Sequence, residues 1–243
     1  MRKWQTAIST SNENGERYIR GEPLLKLIEE RSFVDVFYFI VRGIFPTVAE
    51  SKLLNAIFVS CVDHGVEVPS AFVPRVVVST GNNMVAALAA GVLTIGDNHG
   101  GAVEKAMFLL LDMSDVKTIV GRVLGEHKRI PGYGHKIYKE KDPRVAVLFE
   151  KAGTLGFSDT FIQKAQAIEA EVTKQSGKHL PLNVDGAIAA LLVTIGIEPI
   201  LGKAFFILGR MPGMIAHIQE EMKSGEPYRR LDSDDVEYTG PAV

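Results

Sequence analysis

Residues 129–144 read Arg-Ile-Pro-Gly-Tyr-Gly-His-Lys-Ile-Tyr-Lys-Glu-Lys-Asp-Pro-Arg, and the rest of the chain is organised around this stretch. Two glycines flank a tyrosine and a proline stiffens the approach to them, so the backbone can bend close to a ligand. His135 follows the bend, with cationic side chains beside it. Such a loop suits a large anionic ligand with a reactive end, although Gly and Pro also mark plain surface turns.

Composition restricts the class of protein. The chain has 243 residues, of which 46% are hydrophobic, so it can bury a substantial core in one large domain or two packed ones. A net charge of -2 gives no reason to expect a nucleic-acid partner. The sequence shows neither a signal peptide nor an apolar run of membrane-spanning length, which predicts a soluble, cytoplasmic protein without a membrane partner. Cys61 is expected to be a small buried residue, and the six scattered histidines do not indicate a metal site.

Hydrophobic spacing predicts a helical protein. Residues 3–20 alternate around Asn12-Glu13-Asn14-Gly15, which is typical of a short β-hairpin. Beyond them, apolar residues recur at intervals of three and four, which predicts helices. The predicted helical segments are 24–28, 34–41, 53–58, 70–79, 84–92, 100–111, 116–124, 145–155, 160–173, 187–195 and 199–222. Strands do not alternate with helices, so a Rossmann-type fold is not expected despite the glycines.

Three polar side chains interrupt or end apolar helical segments. His64 lies at the end of one predicted helix, where it is either a capping residue or a ligand contact. Arg75 and Arg210 lie within apolar helical patterns. A guanidinium on such a face needs an anion. For Arg75, an exposed or internally paired side chain and a contact with a substrate carboxylate remain equal alternatives.

Two further groups lie close to predicted helix starts. His99 precedes the segment 100–111, and a helix N-terminus disfavours protonation, so a neutral imidazole there can donate to a carbonyl that becomes an enolate. Alternatively Asp97 or Asn98 caps the helix and His99 is incidental. Asp185 precedes the apolar segment 187–193. It is either a cap or, in a dry pocket, a carboxyl with a raised pKa that transfers protons to and from carbon.

Five motifs in this order resemble the citrate synthase superfamily over essentially the whole chain. They are Asp63-His64-Gly65, the segment 96–102, the segment 131–135 with Asp142-Pro143-Arg144, Asn183-Val184-Asp185, and Gly209-Arg210 with Gly213 and His217. Within the superfamily, the likeness is strongest to free-standing citryl-CoA lyases and to the citryl-CoA lyase module of ATP-citrate lyase. Segments 93–102, 182–186 and 228–235 carry that likeness. Gly186 stands where typical citrate synthases have an aromatic residue, whereas His99 is the citrate synthase residue at a place where the lyase module has Phe.

The resemblance implies a fold and an assembly. We expect an all-α, citrate synthase-like, two-domain fold with a short N-terminal β-hairpin. Residues 1–101 and 191–243 would form the large domain, and residues 102–190 the small domain with the CoA-binding loop. The chain would work as a homodimer with active sites near the subunit interface.

The resemblance also implies roles for individual residues. His99, His135 and Asp185 would be catalytic. His64, Arg75, Arg144, Arg210, Arg229 and Arg230 would bind the dicarboxylate substrate, Arg229 or Arg230 reaching across from a partner subunit. Pro131, Gly132, Tyr133, Gly134 and Lys136 would bind coenzyme A. No cofactor is expected to be bound permanently, since coenzyme A is part of the substrate and product.

The implied activity is that of a citryl-CoA lyase, which cleaves citryl-CoA to acetyl-CoA and oxaloacetate. One alternative is a small condensing enzyme of the citrate or 2-methylcitrate synthase type. Another is a catalytically silent, CoA-binding partner subunit. No segment resembles an ATP-grasp or CoA-ligase domain, so a separate citryl-CoA synthetase would supply the substrate.

Overall fold

The protein is described by a computed structural model that covers residues 3–126, 129–225 and 228–241. These residues form three short strands and eleven α-helices. The strands are β1 (Ser9–Ser11), β2 (Arg17–Ile19) and β3 (Glu22–Pro23). The helices are α1 (Leu24–Glu30), α2 (Phe33–Arg42), α3 (Val48–Ser60), α4 (Pro69–Ser79), α5 (Met84–Leu93), α6 (Ala102–Leu111), α7 (Val116–Gly125), α8 (Pro143–Thr154), α9 (Thr160–Ser176), α10 (Val184–Thr194) and α11 (Gly202–Ser224). The prediction of an all-α fold with an N-terminal β-hairpin is confirmed.

The N-terminal strands form a small antiparallel sheet in the order β1-β2-β3. The side chain of Asn12 accepts hydrogen bonds from the amides of Asn14 and Glu16, which closes the predicted hairpin turn. The sequence did not indicate β3. Two residues are too short a strand to show an alternating pattern.

Side-chain caps fix where several helices begin. Ser32 and Thr47 each form a capping box, with Asp35 at the start of α2 and with Glu50 at the start of α3. Gly43 ends α2 with φ of 76°. These local signals agree with the predicted order of helices.

Helix α10 lies at the centre of the molecule. Nine of its residues are buried, and it packs against α6, α8 and α9. Helix α11, with 23 residues, packs against α3, α4, α5 and α6. Both helices carry cavity-lining side chains, so the site is built on well-packed elements.

The glycine-containing loop at residues 131–136 is hydrogen-bonded to the start of α10. The Gly134 amide donates to the Pro181 carbonyl at 2.7 Å, and the Asn183 amide donates to the Gly132 carbonyl at 3.0 Å. Gly132 has φ of 85°, and a Cβ added to Gly186 would lie 2.6 Å from the Gly132 oxygen. The two backbones therefore touch at a place where neither can carry a side chain.

Most predicted helix boundaries differ from the structure by one or more residues, and the largest difference is at α3, which begins at Val48 rather than 53. Helix α10 begins at Val184 rather than 187, because Asn183 caps it by accepting from the amides of Asp185 and Gly186. Helix α6 begins at Ala102 rather than 100, and the last predicted helix divides into a 3-10 turn at Pro199–Leu201 and α11. Of the helices described, none is long and apolar enough to cross a membrane. The division into large and small domains stays a prediction.

Candidate active site

A cavity of about 110 Å³ opens between the start of α10, the middle of α11 and the loops before α4, α6 and α8. It is lined by His64, Val68, His99, Gly100, His135, Arg144, Asn183, Val184, Asp185, Phe206 and Arg210. The structure thus brings together six of the side chains that the sequence singled out: His64, His99, His135, Arg144, Asp185 and Arg210. They come from segments up to about 150 residues apart in the chain.

His99 is held by the buried hydroxyl of Ser70. The Nε2 atom of His99 lies 2.9 Å from Ser70 Oγ, and Arg210 Nη1 donates to the same oxygen at 3.5 Å. We assign the Ser70 hydroxyl as donor to Nε2 while it accepts from Arg210, and this assignment puts the ring hydrogen of His99 on Nδ1. Burial, reinforced by the charge of Arg210, lowers the pKa of His99 to about 4. The ring is therefore neutral near pH 7, but for a reason other than the helix N-terminus that the sequence suggested.

Asp185 lies in the first turn of α10 and is not its cap. Asn183 is the capping residue, and it leaves the Asp185 carboxyl free to line the cavity. Burial raises the pKa of Asp185 to about 6, although Arg210 and Arg144 oppose that shift. A carboxyl with such a pKa can both give and take a proton near neutral pH.

His135 has one ring nitrogen occupied by the backbone. The amides of Ile137 and Tyr138 both donate to Nδ1, each at 3.1 Å, so the hydrogen of the neutral ring is placed on Nε2. Burial and the charge of Arg144 lower the pKa of His135. Nε2 lies 3.4 Å from Arg144 Nη2.

Two arginines supply the positive charge of the cavity. Arg210 is 5% exposed, and its Nε donates to the Cys61 carbonyl at 2.6 Å. Arg144 is bound through Nε and Nη2 to the carboxylate of Asp142. In both side chains part of the guanidinium is left for a ligand, and two fixed cations in one small cavity suit a dicarboxylate.

His64 lies in the turn after α3, and its ring centroid is 5.3 Å from that of His135. Burial, with the charges of Arg144 and Arg210, lowers its pKa. The preceding residue, Asp63, is bound to His217 of α11 at 3.1 Å. His64 therefore faces the cavity as a neutral imidazole on an anchored turn.

The structure places three of the expected substrate-binding arginines outside the cavity. Arg75 binds Glu220 at 2.6 Å and Glu221 at 2.7 Å, which is the internally paired alternative left open by the sequence. Arg229 binds the other oxygen of Glu221 at 2.7 Å. Arg230 is exposed on the C-terminal segment. The structure thus favours the internally paired alternative for Arg75, because two carboxylates of α11 already neutralise it, and a substrate contact for Arg75, Arg229 or Arg230 stays a prediction.

The expected CoA loop is partly structural. The side chain of Tyr133 points into the protein, where its hydroxyl donates to the Ala165 carbonyl at 2.9 Å and burial raises its pKa. Gly132 is buried against Gly186, Pro131 and Gly134 are half-buried, and Lys136 is exposed. Tyr133 thus fixes the loop, while its outer part stays accessible.

Two residues that support the site were missed by sequence reasoning. Ser70 is fully buried beside His99, and Asp142 is 2% exposed beside Arg144. For Asp142 the signal was its place in the Asp-Pro-Arg motif. For Ser70 the sequence offered none, since a serine near a helix start is ordinarily read as a cap. Across the described parts of the chain, no group of three or more His, Cys, Asp or Glu side chains is arranged to hold a metal ion.

Comparison with known proteins identifies the family. The family model described as "Citrate synthase, C-terminal domain" matches residues 46–230. The chain therefore belongs to the citrate synthase family. It is 30% identical over 220 residues to Citrate synthase 2 of Bacillus subtilis, a match that covers 88% of this chain and 57% of that protein. The chain thus spans about half the length of the curated relatives it matches.

Comparison with solved structures shows which members of the superfamily this chain resembles. Citryl-CoA lyase from Hydrogenobacter thermophilus is 44% identical with a TM-score of 0.92, and the match covers 100% of this chain and 96% of that one. ATP citrate lyase from Methanothrix soehngenii, solved in complex with citrate and coenzyme A, is 25% identical with a TM-score of 0.87; the match covers 100% of this chain and 43% of that one. The predicted resemblance to citryl-CoA lyases within this superfamily is confirmed.

Proposed function

We propose that this chain is a citryl-CoA lyase, cleaving citryl-CoA to acetyl-CoA and oxaloacetate. The observation that carries the proposal is a single cavity lined by two neutral imidazoles, His99 and His135, and by a carboxyl with a raised pKa, Asp185. The end-to-end likeness to the lyase from Hydrogenobacter thermophilus supports it. Citryl-CoA would come from a separate synthetase.

The acetyl-CoA fragment must be stabilised at its oxygen and protonated at its carbon. When the carbon–carbon bond breaks, its electron pair passes to the acetyl-CoA fragment, which leaves as an enolate. His99 donates a hydrogen bond from Nδ1 to the enolate oxygen, the geometry that Ser70 sets by occupying Nε2. Asp185, protonated at the start of the step, delivers its proton to the carbon and so forms the methyl group of acetyl-CoA.

The other fragment becomes oxaloacetate as its hydroxyl loses a proton. His135 handles that proton at Nε2. While the proton lies on the substrate oxygen, neither ring nitrogen of His135 carries a hydrogen, and the two backbone amides at Nδ1 and the guanidinium of Arg144 stabilise the negative charge of this imidazolate. Cleavage returns the proton to Nε2. Arg144 and Arg210, with His64, hold the carboxylates of the dicarboxylate fragment.

Coenzyme A is substrate and product in this scheme. The accessible outer part of the loop, at Pro131, Gly134 and Lys136, would follow the adenine with its backbone. Gly132 and Tyr133 would act by fixing that loop to α10 and to the Ala165 carbonyl.

A condensing enzyme of the citrate synthase type is the second candidate. The same three groups work in either direction, and the family model and the Bacillus relative carry the citrate synthase name. The two enzymes differ in whether water hydrolyses the thioester of citryl-CoA. A silent CoA-binding subunit has no chemical need for His99, His135 and Asp185 in one cavity.

One assay separates these functions. The purified protein is given citryl-CoA, and oxaloacetate is followed through malate dehydrogenase and NADH oxidation while free citrate is measured in parallel. Steady loss of NADH supports a lyase. Free citrate without oxaloacetate would replace the proposal with a synthase-type hydrolase, and no turnover would leave the silent subunit.

A further inference from the structure

Asp142 is a buried carboxylate at the boundary between the loop and α8. Its side chain has no exposed surface, and it caps α8 by accepting from the Arg144 amide. Within the proposed reaction it has no chemical step. Three further hydrogen bonds distinguish it from an ordinary cap.

Those bonds reach two separate elements. On α8, Asp142 accepts from Arg144 Nε at 2.9 Å and from Arg144 Nη2 at 2.8 Å. On α10, Oδ2 accepts from the Val184 amide at 3.0 Å. Although burial opposes it, the bonds to Arg144 hold the pKa of Asp142 below its ordinary value, so the group is ionised.

The geometry decides which part of Arg144 a ligand can reach. Asp142 occupies the edge formed by Nε and Nη2, so Nη1 and the second hydrogen of Nη2 are left for a carboxylate. The same Nη2 lies 3.4 Å from His135 Nε2. Val184, on the other side of Asp142, is followed directly by Asp185.

We propose that Asp142 is a positioning residue that joins the substrate-binding Arg144 to the start of α10, and so fixes Arg144, His135 and Asp185 relative to one another. This inference rests on the proposed function of the cavity. Asp142 acts through these groups and does not touch the substrate. Substitution of Asp142 should therefore weaken binding of the dicarboxylate by Arg144 and, at the same time, displace Asp185.

The competing explanation is that Asp142 only caps α8. Asn and Ser cap helices about as well as Asp. Asp142→Asn and Asp142→Ser therefore keep the cap of α8 but remove the negative charge. The shorter serine side chain also loses the hydrogen bond from the Val184 amide. A pure cap predicts that both variants behave like the wild type.

The test measures citryl-CoA cleavage and oxaloacetate affinity in both variants. Asp112→Asn is the matched control, since Asp112 also accepts from a backbone amide and pairs with an arginine, Arg122, but lies outside the cavity. We expect kcat/KM of the Asp142 variants to fall about 100-fold, the loss typical of a small misplacement of reacting groups. KM for citryl-CoA and the Kd for oxaloacetate measured by calorimetry should both rise at least about tenfold, the cost of a lost charge-assisted contact.

Each result decides the matter. Structural damage alone lowers the fraction of active molecules, which reduces the apparent kcat and leaves KM and the oxaloacetate Kd unchanged; that outcome overturns the inference. Wild-type kinetics in both variants would show a cap only, and failure of both to fold would assign Asp142 to stability alone. Replacing Arg144 by Lys in the Asp142→Asn background should reduce oxaloacetate affinity little further. Both changes disturb the same contact, the one between Arg144 and the substrate carboxylate.

The proposed function can fail separately. If the wild type does not cleave citryl-CoA but binds oxaloacetate, a higher Kd in the two variants still supports the positioning role. If the wild type neither cleaves citryl-CoA nor binds oxaloacetate, the proposed function and this inference fall together.

Discussion

At the scale of single residues, burial of Asp185 gives its carboxyl a pKa that suits proton transfer but lowers the stability of the folded protein in alkaline solution. Asp185 would be more stably ionised in water, yet burial raises its pKa to about 6. A group whose pKa is raised on folding favours the fold while it is protonated, and that advantage is lost as pH rises through the folded pKa. At pH 8 the charged Asp185 is therefore a cost to the folded state.

Asp185→Asn should consequently stabilise the protein in alkaline solution. A shift from 3.8 to about 6 corresponds to about 3 kcal/mol at most at pH 8, and the gain should disappear below about pH 4, where Asp185 is protonated in both states. Thermal unfolding of wild type and variant at pH 8, 6 and 4 measures this. Equal melting temperatures at pH 8 would mean that the carboxyl is solvated rather than buried.

Substitution of the cavity-lining Arg144 and of the internally paired Arg75 should affect oxaloacetate binding differently. Arg144→Lys loses the planar fork beside the cavity and should weaken oxaloacetate binding at least about tenfold. Arg75→Lys keeps a cation beside Glu220 and Glu221 and should leave oxaloacetate affinity unchanged. Calorimetric titration compares them. An affinity loss for Arg75→Lys equal to that for Arg144→Lys would show that Arg75 contributes to substrate binding.

At the scale of elements, the site depends on how closely the loop and α10 approach. A Cβ on Gly186 would lie 2.5 Å from Leu182 Cδ1 and 2.6 Å from the Gly132 oxygen. The second contact is with backbone, which cannot move aside without shifting the loop that carries His135. The glycine that typical citrate synthases replace by an aromatic residue thus sets the local packing here.

Gly186→Ala should therefore destabilise the fold by about 1–3 kcal/mol, the usual range for overpacking. It should also raise KM for citryl-CoA. The control is Gly153→Ala in α8, where a Cβ meets nothing within 4 Å and the substitution should stabilise by about 0.5–1 kcal/mol. Urea unfolding compares the two. A neutral Gly186→Ala would contradict the close backbone contact.

The sequence predicted the helices well because most of them bury an apolar stripe with helical spacing, while α10 shows a continuous apolar run. It misplaced the start of α10 because Gly186 stands in the first turn and Asp185 resembles a cap, whereas the actual cap is Asn183. The cavity-lining histidines and arginines were found from motifs. The partners of Arg75, and the roles of Ser70 and Tyr133, depend on contacts between distant segments that spacing does not reveal.

At the scale of the whole molecule, two packed helices, α5 and α11, leave apolar side chains exposed to water. Val85, Ala89 and Leu93 lie at intervals of four on α5, and Val85 and Leu93 are 74% and 85% exposed. Helix α11 adds Ile215 and Met222. Helices α5 and α11 are in contact, so the two sets of exposed apolar side chains lie on neighbouring helices. A second copy of the chain, as the resemblance implies, would cover them.

Light scattering after size-exclusion chromatography should therefore give twice the chain mass of 26.5 kDa. Leu93→Arg should shift the protein towards the monomer, because it places a charge in the apolar stripe. Val147→Arg, on a comparably exposed residue of α8, should not change the mass. A monomeric wild type at micromolar concentration would reject the dimer.

In the proposed reaction, Asp185 exchanges a proton with the carbon of a CoA thioester in a cavity shared with His99 and His135. The most direct measurement of this step is single-turnover cleavage of citryl-CoA by Asp185→Asn, with binding of citryl-CoA followed separately. We predict unchanged binding within a few-fold and cleavage slower by at least about 100-fold, the contribution of a general acid. Cleavage by Asp185→Asn at the wild-type rate would contradict the account.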